Sequence, residues 1–161
     1  MLKTFTLNTM DQFTQRNAIT ATLFNLVINT VAPFLIFSEE EFINLKGESP
    51  TVVSLLMPTV MISVFATTLA TFITMTKQRM AHKLEPTLEA HTSWLPTAVL
   101  TSIGLGMAFA GLGFGLLWVL QSSMANAQIP KLWAILLSGI VGAFAAFIAS
   151  FIAVKRARLI C

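Results

Sequence analysis

The chain is 161 residues long, 55% hydrophobic and only 11% charged, with a formal net charge of +3. Soluble domains carry about 25% charged residues, so this composition leaves too little polar surface to wrap a water-facing globule and points to lipid as the solvent. A small cationic excess without any basic cluster of nucleic-acid type excludes a nucleic-acid partner.

Asp, Glu, Lys and Arg are missing from residues 17–38, 49–76, 90–130 and 132–154. A hydrocarbon core about 30 Å thick needs about 20 helical residues. These runs therefore predict an all-α integral membrane protein with four transmembrane helices near residues 18–37, 52–75, 95–120 and 132–154. None alternates by twos, as barrel strands would. Residues 1–17 form an N-terminal segment that could lie in the interface through Phe5, Leu7, Met10 and Phe13. The first hairpin covers 18–76, a loop covers 77–94, the second hairpin covers 95–154, and a basic tail covers 155–161. The first apolar run is too long for a signal peptide and lacks a small-x-small cleavage site, so it is expected to stay as a span.

In the first span Asn25 and Asn29 lie four residues apart on one helix face, and Thr22 extends that stripe. An unpaired amide in hydrocarbon costs several kcal/mol, so both should face protein or water. Interhelical hydrogen bonds are one use for them, and a polar path is the other. The second span carries a hydroxyl stripe, Thr59, Ser63, Thr67, Thr71 and Thr74. Such hydroxyls bond back to the carbonyl four residues earlier, or line the same path. Pro33 and Pro58 each remove a backbone hydrogen bond near the same end of the bundle, where the helices are expected to bend and splay.

The loop holds both histidines. His82, Glu85 and Glu89 would share a helix face, and with His91 they are the candidate metal ligands. Pro86 interrupts that helix and no cysteine joins the set, so a solvated loop facing lipid headgroups, with no metal or other cofactor, is the expectation. The single cysteine, Cys161, excludes an internal disulfide.

The third span bears Gly104, Ala108, Gly111 and Gly115 on one face, with Ser102, Gly106, Ala110 and Gly113 on a neighbouring one; the fourth bears Ser138, Gly142, Ala146, Ser150 and Ala153. Lipid is as apolar as Leu, so helices associate through small residues and hydrogen bonds; these are the expected packing positions. A shift of 79 residues lays Phe65, Ala66, Ala70, Phe72, Ile73 and Arg79 on Phe144, Ala145, Ala149, Phe151, Ile152 and Arg158, and also brings Thr59 onto Ser138 and Thr71 onto Ser150. The first and third spans align poorly at any shift, so the match between the second and fourth alone carries the reading of two tandem helical hairpins, a parallel internal repeat closing into a four-helix bundle.

Eight of the ten Lys and Arg residues fall on one side of these spans: Lys3, Arg16, Lys77, Arg79, Lys83, Lys155, Arg156 and Arg158. The positive-inside rule puts both termini and the 77–94 loop in the cytoplasm of a multi-pass protein in a plasma or bacterial inner membrane. Trp94, Trp118 and Trp133 suit the interfacial belts. No span holds Asp, Glu, Lys, Arg or His, which excludes an intramembrane proton relay or voltage sensor and leaves no acid, base or nucleophile for an enzyme. Two functions remain. One is a non-enzymatic protein that assembles with its own copies or with another membrane subunit. The other is a small facilitative transporter or channel lined by Asn25, Asn29 and the Thr/Ser stripe.

Overall fold

The computed structural model describes residues 10–45, 50–89, 92–123 and 128–160. Four helices dominate it: α1 (Met10–Ile36), α2 (Val52–Met80), α3 (Leu95–Ser123) and α4 (Lys131–Arg158). All four are long and apolar enough to cross a bilayer. At 1.5 Å per residue each reaches about 40 Å or more, beyond the hydrocarbon depth of about 30 Å.

The excess length is mostly at the basic end. Helix α2 runs to Met80 and α4 to Arg158, with Lys77 and Arg79, and Lys155, Arg156 and Arg158, in their last turns. Cations there oppose the negative end of the helix dipole, so the helices continue past the point where hydropathy ends. Helix α1 likewise begins at Met10, with Asp11 in its first turn. Met10 to Phe13 are thus part of the first long helix, and Phe13 is buried. Residues 1–9 of that segment, with Phe5 and Leu7, lie outside the described residues.

At the other end, α2 starts from a capping box in which Thr51 and Ser54 each satisfy the other's backbone N–H. Both prolines sit inside unbroken helices. The expected splay is replaced by closure. Strands β1 (Phe42–Asn44) and β2 (Gln128–Pro130) pair antiparallel with Ile43 opposite Ile129. Ile43, Leu45, Val52, Leu55, Leu56, Leu117 and Ala134 form a buried cluster beneath them. Backbone groups of the two connections are satisfied in the strand pair.

Helix α4 packs on α1 and α2, and α2 packs on α4 and α3, whereas α1 touches α2 little and α3 touches α4 little. The bundle is therefore a row, α1–α4–α2–α3, in which each hairpin grips the other more than itself. Val60 and Val64 of α2 meet Ala145 and Ala149 of α4 at its centre. A third cluster closes the basic end, with Phe13, Phe72, Met75, Ala98, Val154 and Ala157 from the four helices and Leu84 from the loop.

A polar cleft as the candidate functional site

The scarcity of apolar contact between α1 and α2 is made up by a ladder of amides and hydroxyls. Residues four apart stay near one face of a helix. Helix α1 carries Asn17, Asn25 and Asn29; α2, running the other way, carries Thr71, Thr67 and Ser63. The Nδ2 of Asn29 donates to Ser63 Oγ at 2.7 Å, that of Asn25 to Thr67 Oγ1 at 3.0 Å, and that of Asn17 to Thr71 Oγ1 at 2.8 Å. Asn17 also reaches Ser150 Oγ of α4 at 2.8 Å. Asn25 additionally donates to Ala21 O at 2.8 Å. Interhelical bonds of this type are worth about 1 kcal/mol each.

The ladder is packed most closely at Asn29. Asn29 lies against Gly142, where an added Cβ would overlap its amide; at Gly139 an added Cβ would meet Thr30. These two glycines let α1 come close to α4, and Asn29 fills the space between them and Ser63. Beyond this plug, Thr59 bonds Leu55 O and shares a hydrogen bond with Ser138. Between the Asn29 and Asn17 rungs α1 and α2 flank a cleft of about 300 Å³ that opens sideways past exposed Phe24, Ala66 and Ala70. Asn17, Asn25, Thr67 and Thr71 line it with Thr20 and Thr74, and Ala21, Phe24, Ala66 and Ala70 complete the walls. No ionisable side chain is among these lining residues. Each amide uses its nitrogen as the donor, and among the described residues no protein donor reaches the Oδ1 of Asn17 or Asn25. The cleft thus offers neutral acceptors in an otherwise apolar wall, a chemistry that suits water or an uncharged hydroxyl or amide donor.

Of the expected polar face, Asn25, Asn29, Ser63, Thr67 and Thr71 come together across α1 and α2. Thr22 does not join them; its hydroxyl is spent on Ala18 O. Thr59 lies past the plug, so the stripe is divided at Asn29 and does not line one continuous route. On α4, Ser138, Gly142 and Ala146 are buried in the helix contacts. On α3 the packing lies elsewhere than expected. Gly104, Gly111 and Gly115 have nothing within 4 Å of an added Cβ, and Ala108 is exposed. The buried face is Ala98, Ser102, Gly106, Ala110 and Leu117. Both faces have the same small-residue spacing, and packing against Met57 and Met61 of α2 uses the second.

In the loop, His82, Glu85 and Glu89 are exposed, and among the described residues no three His, Cys, Asp or Glu side chains gather around a common point. His91 lies outside the described residues.

Two contributors were not singled out from sequence. Asn17 sits beside Arg16 at the edge of the apolar run and so looks like a flanking polar residue. Arg79 looks like an interfacial cation, yet it is 2% exposed. Its Nε donates to Pro86 O at 2.6 Å, and its two terminal nitrogens donate to Ala157 O at 2.7 Å and Ile160 O at 2.9 Å. A planar guanidinium can serve several carbonyls at once; here it fastens the loop to the C-terminal end of α4. Comparison with protein-family models, with characterised proteins and with solved structures gives no match for this chain.

Proposed function

We propose that this is a small facilitative carrier that takes up an uncharged solute in the α1–α2 cleft, with both termini and the 77–94 loop in the cytoplasm. The observation that carries this is the cleft itself, whose amide oxygens are not claimed by protein donors among the described residues and whose far end is plugged by Asn29, Ser63 and Gly142. Small carriers bind their substrates between helices within the span, where this cleft lies. Neutral dipoles are sufficient for an uncharged substrate, and the lining has no ionisable group to activate its threonine hydroxyls, which supports a non-enzymatic role.

The test is reswelling of proteoliposomes in a glycerol gradient. Glycerol entry faster than in protein-free vesicles, lost in a folded Asn25→Leu variant, is the expected result; entry equal to that of empty vesicles overturns the reading.

Assembly is the second reading, and the α3 face of Gly104, Ala108, Gly111 and Gly115 favours it, because that face is left open by the bundle. Small residues so spaced let a second copy, or another membrane subunit, approach closely. Cross-linking in native membranes should then give a defined oligomer that Gly111→Leu abolishes.

A further inference from the structure

We propose, resting on the reading of the cleft as a binding site, that its ligand is an uncharged single-chain amphiphile of the monoacylglycerol type. Its hydroxyl head would sit in the α1–α2 cleft and its chain in a groove between α2 and α3. That groove encloses about 290 Å³ and is walled by Met61, Ile62, Phe65 and Ala66 of α2 with Ile103 and Met107 of α3. The one hydroxyl in it, on Ser102, is turned to Ala98 O, so the surface is apolar. Ala66 borders both the cleft and the groove. The two cavities therefore adjoin on one face of the bundle, polar toward the basic end and apolar toward the middle.

Dimensions and chemistry select the occupant. From Thr74 at the rim of the cleft to Met61 in the groove is thirteen residues of helix, or about 20 Å. One leaflet of hydrocarbon is about 15 Å deep, so this length fits one acyl chain plus a head the size of glycerol. Methionines at both sides of the groove adapt to chains of different shape. A chain moving from lipid into the groove gains little, since both media are equally apolar. Discrimination must come from the head. The cleft presents amide oxygens and hydroxyls without a cation, so hydroxyl donors are welcome there and a phosphate would be buried without a counter-charge.

The full chain is reconstituted in phosphatidylcholine nanodiscs with a monoacylglycerol bearing a mid-chain diazirine, and photolabelled sites are mapped by mass spectrometry. The expected result is saturable labelling of Met61, Phe65 and Met107, displaced by unlabelled monoacylglycerol. Labelling should drop about fivefold to tenfold in Asn25→Leu and in Thr74→Val, the loss expected from one or two hydrogen bonds. Thr74 is exposed, so that variant keeps the fold even if Asn25→Leu does not. Ile103→Trp, in the groove but outside the cleft, should remove labelling and leave glycerol entry intact. Non-saturable labelling spread over Leu23, Val31 and Leu112 overturns the proposal, as does saturable labelling that ignores both head variants. Glycerol entry without saturable labelling sinks the amphiphile alone. Head-dependent labelling without glycerol entry supports the amphiphile and sinks the carrier.

Discussion

Thr59 and Ser138 share a hydrogen bond of 3.2 Å, and the 79 residues between them equal the shift that overlays the second span on the fourth. Asn17 repeats the relationship one level down, where its Nδ2 holds both Thr71 and Ser150, again 79 apart. In the strand pair Ile43 faces Ile129 at a separation of 86. The difference of seven matches the length of 45–51, which joins β1 to α2, whereas β2 runs directly into α4. Contacts between matching positions are those a twofold axis between two hairpins requires, and they support the tandem-repeat proposal.

Substitution of glycine should separate the two kinds of small-residue face. Gly142→Ala forces the Asn29 amide aside and should destabilise by about 1–3 kcal/mol. Gly111→Ala meets nothing and should be neutral or stabilise by up to about 1 kcal/mol through helix propensity. Unfolding midpoints in mild detergent read both.

The Asn29–Ser63 bond can be measured by a double-mutant cycle with Asn29→Ala and Ser63→Ala. A coupling of about 0.6–1.7 kcal/mol is expected. A value near zero would mean that the plug is held by Gly142 packing alone.

Arg79→Lys should cost about 2–4 kcal/mol, because an ammonium lacks the planar fork that serves three carbonyls. Arg158→Ala, at the matching position in the second hairpin but exposed, should change stability by less than about 0.5 kcal/mol. Equal effects in the two variants would remove Arg79 from its fastening role.

Thr68 is fully buried, and its Oγ1 is without a hydrogen-bond partner among the described residues. Thr68→Val keeps the shape and removes the stranded hydroxyl, so the thermal midpoint should rise, by about 1–2 kcal/mol of stability.

The single cysteine gives a direct test of orientation. In sealed cells a membrane-impermeant maleimide should leave Cys161 unlabelled until the membrane is opened. Labelling of intact cells would reverse the proposed topology.

The four long helices were legible because ionic side chains are excluded from hydrocarbon, and the gaps between charges mark them. Their true ends were not, because Lys77, Arg79, Lys155 and Arg158 stop the apolar run without stopping the helix. Asn25 and Asn29 identified themselves by the cost of a lone amide in lipid, but their partners depend on how two helices slide past each other, which no local spacing encodes. The same limit explains α3: two faces of equal small-residue content compete, and which of them meets Met57 and the Met61 backbone of α2 depends on how the helices are turned. Asn17 stayed hidden because a polar residue next to Arg16 needs no partner until Thr71 and Ser150 are brought beside it.

The strand pair fixes where movement can occur. Lys131 N–H donates to Glu41 O and Lys131 Nζ to Ser38 O, both at 3.0 Å, and the β1–β2 register adds its own bonds at the same end. The first and fourth helices are thereby pinned together like the spring end of a clothes-peg. Spreading of α1 from α2 would pivot there and be widest at Asn17, where it would break the 2.8 Å bonds to Thr71 and Ser150.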